Sequence, residues 1–385
     1  MDRRESDREV KTLTLKEIAQ RAGVSTATVS YVINNSGHIS EETRKKVQDI
    51  IRQTGYRTNK LAGSLRKNRT GLIGILVEDI TVWHTPYIID GINRMADEKN
   101  CYTILSNLQM VRKIDNSFDK LNGFQKDIDK AVQTLMGLQV DGIIYIGMHD
   151  RLMDNVLRKA GKPVVYCYCY TADGEASSVR YDNEKAEYRI TRNVIDRGHR
   201  RIALIGGYVT SEPARLRRKG FLKALQEAGI TLPESWDECG EYDFQKGKAA
   251  AIRILTGKDG GSKKDLLPAQ ERPTAMVAMN DEMALGVYNA AAELGLRIPE
   301  DLSVTGFDDA EFTQQLIPPL MTAQRPLHKM GYSALSLLLE RIEDESEQVT
   351  NIIYPCKIIE GGSVCDLRTG DGAAEDDRSP DEHDD

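Results

Sequence analysis

Residues 14–34 read Thr14-Leu15-Lys16-Glu17-Ile18-Ala19-Gln20-Arg21-Ala22-Gly23-Val24-Ser25-Thr26-Ala27-Thr28-Val29-Ser30-Tyr31-Val32-Ile33-Asn34. Leu15, Ile18, Ala19 and Ala22 recur at helical spacing, and Val29, Val32 and Ile33 do so again. Between the two runs, Gly23 supplies the positive φ of a tight turn, and Ser25 is placed to cap the second helix. Small Ala19 and Gly23 allow close approach, and Val24 and Val29 fill the space between. Two short helices joined in this way are a helix-turn-helix. The second helix leaves Thr26, Ala27, Thr28, Ser30 and Tyr31 outside. In a DNA-binding motif of this kind its N-terminal part enters the major groove. Thr26 can hydrogen-bond base edges, Ala27 can touch a thymine methyl, and Tyr31 can reach a base edge or a phosphate. Ser25, Thr28 and Asn34, with Arg44 beyond them, are candidates for backbone contact and for holding the motif together.

A third helix follows, with Ser40 as its cap, Glu41 and Glu42 at the positive end of its dipole, and Val47, Ile50 and Ile51 inward. Gly55 is placed to close it. The linker from Asn59 to Thr70 can form a turn or two of helix, which is marginal alone in water. Its Leu61 and Leu65 need cover, the composition of a segment that folds on binding. Charge supports this division. Residues 1–70 carry 15 Lys/Arg against 8 Asp/Glu, although the 385-residue chain has a net charge of -7. A basic head on an acidic body points to one polyanion-binding module. The last fifteen residues hold 8 acidic side chains and one Arg, so 367–385 is expected to be a disordered acidic tail.

The length suggests two to four domains at roughly 100–200 residues each. A chain of this size needs no disulfide or metal staple. The six cysteines, at 101, 167, 169, 239, 356 and 365, show no C-x-x-C or zinc spacing, so neither a disulfide nor a metal is assigned. Cys167 and Cys169 are expected on one face of a strand. No apolar run approaches the ~18–20 residues of a membrane span, and the charged N-terminus is no secretory signal. The expectation is a cytoplasmic protein without membrane contact. Residues 71–366 alternate apolar runs (72–77, 102–105, 142–146, 164–169, 202–205, 275–279 and 302–305) with helical patterns (87–99, 128–138, 184–196, 218–228, 244–255 and 282–294). That alternation predicts parallel sheets covered on both faces, in two subdomains, with a ligand beyond the carboxyl ends of the strands. The site is therefore expected in loops near 78–87, 147–149, 168–173, 206–217, 240–243, 279–281 and 306–309. His84 lies in one of these, just before Thr85-Pro86-Tyr87, and both His84 and Tyr87 are candidates to line the site. No phosphate loop, nucleophile elbow or H-E-x-x-H motif is present, so no catalytic residue and no cofactor is assigned.

Together these blocks resemble the lactose/galactose repressor family of bacterial transcription regulators. The resemblance runs in family order over residues 12 to about 366. It is carried by Leu15 to Asn34, by Asn59 to Leu65, by Val140-Asp141-Gly142-Ile143-Ile144, by Arg197-Gly198-His199-Arg200-Arg201-Ile202-Ala203, by Asn280-Asp281-Glu282-Met283-Ala284-Leu285-Gly286, by Gly306-Phe307-Asp308-Asp309 and by Pro318-Pro319-Leu320. It implies that Thr26, Ala27 and Tyr31 read bases. It also implies a hinge helix in the minor groove, with Asn59, Ala62, Leu65 and Arg66 engaged and paired Leu65 side chains wedging a base step open. Thr58, where many members have Pro, and Gly63, where many have a larger polar residue, should make this hinge more labile.

The resemblance also implies a periplasmic-binding-protein-like body. Arg217, Asn280 and Asp308 would face an effector, and Tyr242 would stack on it. Arg217 and Asp308 can fork onto hydroxyls or a charged group, or form a structural ion pair across the cleft. Tyr168 and Trp83 offer aromatic surface. A sugar is favoured, with a nucleobase second. The reading is a repressor: a homodimer on double-stranded, pseudo-palindromic operator DNA, released or held by a small molecule. The divisions are a head at 12–57, a hinge at 58–70 and an effector-binding and dimerisation body at 71–366. The N-subdomain covers about 71–171 and 326–348, the C-subdomain about 172–324 and 350–366. The competing classes are a transport solute-binding protein and a cytoplasmic sugar-binding or sugar-processing protein with an accessory DNA-binding head.

Overall fold

The computed structural model describes residues 14–33, 35–54, 56, 69–114, 123–172, 175–344 and 348–369. Residues up to Thr70 and residues from Gly71 onward form two separate units.

The head contains α1 (Leu15–Ala22), α2 (Thr26–Ile33) and α3 (Glu41–Thr54). Thr14 starts α1 with a reciprocal cap: its hydroxyl accepts from the Glu17 backbone N–H at 3.3 Å, and the Glu17 carboxylate accepts from the Thr14 N–H at 2.6 Å. Gly23 ends the helix at φ +67°, a left-handed conformation that turns the chain into α2. The Ser25 hydroxyl then accepts from the Thr28 N–H at 3.1 Å, as its capping position predicts. Ile18, Ala19, Ala22, Val29, Val32 and Val47 form the buried core, with Val24, Ile50 and Ile51 packed at its margin. Gly55 and the linker lie outside the described residues.

The body begins with β1 (Leu72–Val77), α4 (Thr85–Lys99), β2 (Tyr102–Asn107), α5 (Gln125–Gly137), β3 (Gly142–Ile146), β4 (Val164–Cys167), β5 (Ser177–Tyr181) and α6 (Asn183–Asp196). It continues with β6 (Ile202–Gly206), α7 (Glu212–Glu227), β7 (Asp237–Cys239), α8 (Phe244–Thr256), β8 (Ala275–Ala278), α9 (Asp281–Leu294) and β9 (Ser303–Thr305). Then come β10 (Thr322–Gln324), α10 (Leu327–Asp344), β11 (Asn351–Tyr354) and β12 (Lys357–Ile359). One parallel sheet has the order β11-β5-β4-β3-β1-β2, and a second has the order β7-β6-β8-β9. The antiparallel pair β10-β12 belongs to neither. Helices approach closely where glycine permits it. A Cβ on Gly331 of α10 would stand 1.9 Å from the Ile88 carbonyl of α4, and one on Gly220 of α7 would stand 2.1 Å from the Glu184 carbonyl of α6.

Four expectations need correction. Ser177–Tyr181 and Asn351–Tyr354 both pair into the first sheet, so the subdomain boundaries drawn near 172 and 350 move to about 182 and 355. Polar Ser177, Ser178 and Asn351 hid these strands, but Ser178 Oγ donates to Asn351 Oδ1 at 2.8 Å and satisfies both. Strand β4 stops at Cys167 because Tyr168 is left-handed at φ +61°. Cys167 and Cys169 therefore enter different cores rather than sharing a face. Helix α7 starts six residues earlier than its apolar pattern, because Ser211 caps it and Pro213 sits in its first turn. Leu367–Thr369, assigned to the disordered tail, form a 3-10 turn held by the Leu367 N–H donating to the Arg197 carbonyl at 2.8 Å. No helix among the described residues is long and apolar enough to cross a membrane.

Candidate functional site

In the head, Thr26 and Ala27 are exposed on the first turn of α2. Tyr31 is 49% exposed, with its ring on Gly37, whose Cβ would lie 3.2 Å from the Tyr31 Cγ. Three side chains on one helix face thus point outward with a hydroxyl, a methyl and a phenol. Thr28 is half-buried through its cap with Ser25, which makes both scaffold for that face. Arg44 is half-buried and donates to Asn35 Oδ1 at 2.7 Å, tying α3 to the turn after α2. Asn34, Asn59, Ala62, Leu65 and Arg66 lie outside the described residues.

In the body, the loops at the carboxyl ends of both sheets enclose a cavity of about 320 Å³, within the size range of small-molecule sites. The first sheet contributes Trp83 and His84 at the start of α4, His149 after β3, Tyr168 after β4 and Tyr181 at the end of β5. The second contributes Tyr208, Arg217 on α7, Tyr242, Asn280 and Asp308, and Arg325 follows β10. His84, Tyr168, Arg217, Tyr242, Asn280 and Asp308, all expected in the site, are brought together here. Tyr87 is not. Its hydroxyl donates to Glu311 at 2.8 Å, and its ring lines a neighbouring hollow on the other side of Trp83 and Arg325, residues that both spaces share.

Arg217 is 3% exposed, and each of its three nitrogens makes a hydrogen bond with the protein, which leaves a second N–H on Nη1 and on Nη2. Nε donates to Asn183 Oδ1 at 2.9 Å, Nη2 to the Tyr181 hydroxyl at 3.1 Å, and Nη1 to the Met279 carbonyl. The guanidinium carbon lies 3.6 Å from the centre of the Phe307 ring. Asn183 also donates to Asp150 at 2.9 Å, and Asp150 pairs with Arg180 at 2.8 Å. A buried polar chain therefore runs from the loop after β3 to the arginine in the opposite wall. A second tie crosses at Glu212, which accepts from the Leu152 N–H at 2.8 Å and from the Tyr170 hydroxyl at 2.5 Å.

Asp308 has φ +131°, a strained conformation for a side-chain-bearing residue, held by its N–H donating to the Ala323 carbonyl at 2.9 Å. Its carboxylate is 3.1 Å from Arg325 and 3.8 Å from Arg217. Burial raises its pKa, and the two arginines oppose that rise. Arg325 is 6% exposed. It donates to the Tyr168 hydroxyl and stacks 4.3 Å from the Trp83 ring centre. His84 lies 4.0 Å from Tyr168, ring centre to ring centre. Burial, then Arg325 and His149, pushes the pKa of His84 well below the usual value, and burial brings His149 down to about 3. Both imidazoles are neutral at physiological pH. Asn280 caps α9 through the Met283 N–H and donates to the Tyr242 carbonyl at 3.3 Å. Tyr242 lies flat on Gly207, where a Cβ would stand 2.2 Å from the phenol carbon.

Arg325, His149, Tyr181 and Tyr208 are site residues that the sequence reading did not select. Arg325 follows a three-residue strand too short for a periodic signal. Its position after a strand and before a proline-led helix is the one available clue. The arrangement offers two guanidiniums, one deeply buried carboxylate with Glu241, Asp243 and Glu282 nearer the mouth, neutral imidazoles and several aromatic faces. It suits recognition of a polar, multiply hydroxylated ring or chain. Among the described residues, no group of three or more His, Cys, Asp and Glu is arranged to hold a metal.

Residues 14–59 match the bacterial regulatory proteins of the lacI family, and residues 191–364 match the periplasmic binding protein-like domain. The HTH-type transcriptional repressor PurR of Vibrio vulnificus (strain CMCP6) is 32% identical over 86% of this chain and 92% of its own length. The ribose operon repressor of Escherichia coli (strain K12) is 30% identical over 91% of this chain and 99% of its own. Among solved structures, the lac repressor dimer bound to operator and the anti-inducer ONPF superposes with a TM-score of 0.72 at 25% identity, covering 92% of this chain and all of that one.

Proposed function

Because the chain belongs to the lacI family of bacterial regulatory proteins, we propose that it is a transcription repressor whose hold on its operator is set by a small molecule in the cleft between the two sheets. Thr26, Ala27 and Tyr31 read bases, one head of a homodimer to each half of a pseudo-palindromic site in cytoplasmic DNA. The observation that carries the reading is the convergence in one cavity of Arg217, Asp308 and Arg325 with Tyr168 and His84 of the opposite sheet. A ligand there touches both subdomains at once, so its binding energy depends on how they close. Arg217 and Asp308 fork onto hydroxyls while Trp83, Tyr168 and Tyr242 offer ring faces. A sugar fits this set best, in keeping with a relative that is a ribose operon repressor.

Closure acts on DNA through the 58–70 linker. Asn59, Ala62, Leu65 and Arg66 order as a hinge helix in the minor groove in one state and lose that order in the other. The ligand controls the switch only through differential affinity. Moving the balance from 1:99 to 99:1 requires about 5.5 kcal/mol of preference for one state. The test is selection of duplexes from a random library, followed by titration of the selected site with salt and with candidate sugars. One recovered pseudo-palindrome, a log–log salt slope near -0.9 per phosphate contacted, and a sugar-dependent change in affinity are expected. Random recovered sequences with no salt dependence would refute it.

A further inference from the structure

In the inner half of the cleft two buried guanidiniums meet one buried carboxylate. Three permanently or ordinarily charged side chains face one another there: Arg217, Arg325 and Asp308, each no more than 10% exposed at the side chain. One carboxylate serves two guanidiniums. The other buried pairs of the same wall are self-contained, Glu78 with Arg151 and Asp150 with Arg180, at 2.5 and 2.8 Å. Neither histidine adds charge or removes it. Tyr168 and Tyr242 are held as neutral phenols by burial, Tyr242 with a pKa of about 12. Burial pushes Glu187, near Arg217, to about 8; Asp281, near Asp308, is pushed to about 7 and is partly ionised at neutral pH, but both its oxygens are already engaged, by the Thr322 hydroxyl and the Ala310 N–H.

The two arginines are also unequal. Every nitrogen of Arg217 donates to a protein oxygen. On Arg325, Nε and Nη2 make no hydrogen bond with the protein, although both are buried, and its approach to Asp308 is an ion pair without hydrogen-bond alignment. His84 Nε2 is buried beside it without a hydrogen-bond partner. A buried, incompletely paired guanidinium is costly. A planar carboxylate satisfies two of its N–H groups together. Acidic side chains do line the mouth, but in other company. Glu241 pairs with Lys246, Asp243 caps α8, and Glu282 is exposed to water that screens it.

We propose that the effector is a sugar acid, a polyol carrying one carboxylate, and that Arg325 receives that carboxylate while Arg217 and Asp308 hold hydroxyls. The proposal rests on the reading of this cleft as the effector site. A single negative charge completes the pairing, whereas a phosphate dianion exceeds it.

The experiment is calorimetric titration of the full chain with D-glucuronate, D-galacturonate and D-gluconate beside D-glucose, D-galactose, D-ribose and D-glucose 6-phosphate. Operator release is followed with the same compounds. At least one acid should bind about tenfold or more tighter than its neutral parent. Arg325→Gln should weaken that acid about 10–100-fold and should weaken neutral sugars by at least about tenfold less than the acid. Arg325→Lys should keep a preference for the acid, and the ligand-free melting temperature of each variant controls for folding. A neutral sugar bound as tightly as the acids, or the phosphate bound more tightly, overturns the sugar-acid assignment and leaves the repressor reading standing. Equal loss of acid and neutral binding in a folded Arg325→Gln protein overturns the role of Arg325. If no compound binds and none alters operator affinity, the sugar-effector reading falls together with this one.

Discussion

Replacing Glu187 by glutamine should remove a pH dependence from the stability of the body. Glu187 lies on α6 with 0% exposure, and neither carboxyl oxygen is hydrogen-bonded. Burial, partly offset by Arg217, lifts its pKa from 4.5 to about 8. The folded chain therefore keeps a proton that the unfolded chain has already released at neutral pH. The stabilisation is fully present below the unfolded pKa and is lost as pH rises through the folded one. At ~1.4 kcal/mol per pK unit, the wild type should lose about 2 kcal/mol at this site between pH 6 and pH 8, with little further change above pH 9. Glutamine has the same shape and no proton to lose, so its contribution is flat across that range. Asp281 also titrates near neutrality, with a pKa of about 7, but it does so in both proteins and cancels from their difference. Urea unfolding at fixed protein concentration, followed by fluorescence, reads the effect, since Trp83 and Trp236 are the two tryptophans and both lie in the body. The stability of Glu187→Gln relative to wild type should rise by about 2 kcal/mol from pH 6 to pH 8. Parallel pH profiles for the two proteins would refute the reasoning, because they would mean that the carboxyl group ionises as readily folded as unfolded.

Gly220→Ala places a methyl 2.1 Å from the Glu184 carbonyl, so α6 and α7 must part. A loss of about 3 kcal/mol is expected in the same unfolding assay, and an unchanged midpoint would contradict the packing. Glu212→Gln weakens the tie to Tyr170 and Leu152 across the cleft. Effector binding should become roughly fivefold weaker or more, measured by calorimetry, with operator affinity in the absence of effector also shifted. Ala27→Gln should change the preferred half-site by about 1–3 kcal/mol, and identical sites selected by both proteins would remove Ala27 from base reading. Leu65→Ala should reduce DNA bending and affinity while leaving the body folded, and an equal bend in a gel-shift phasing assay would reduce the linker to a tether.

Local chemistry made the head legible. Capping at Ser25, the left-handed Gly23 and a short apolar stripe are all short-range signals, and the structure uses each of them. Most strands and helices of the body were legible from hydrophobic period. The missed strands share one cause: Ser177–Tyr181, Asp237–Cys239, Thr322–Gln324, Asn351–Tyr354 and Lys357–Ile359 are short or polar, and they are strands because neighbours distant in sequence satisfy them. Arg325 and Tyr181 were hidden with them, since each is positioned by one of these segments.

Loop positions after strands announced that a cleft would exist, and motif order indicated Arg217, Asn280 and Asp308 as members. Sequence alone could not say that Tyr87 turns to Glu311, that Cys167 and Cys169 part at Tyr168, or that two buried arginines share one carboxylate. Those outcomes depend on which groups meet after the chain has crossed between the sheets at about 182, 325 and 355. Short-range order is written in spacing and capping, where each residue acts on neighbours within a few positions. Charge balance in a buried site belongs to groups far apart along the chain, such as Tyr168 and Arg325, and only the tertiary fold brings them within reach and strips away the water that would otherwise screen them.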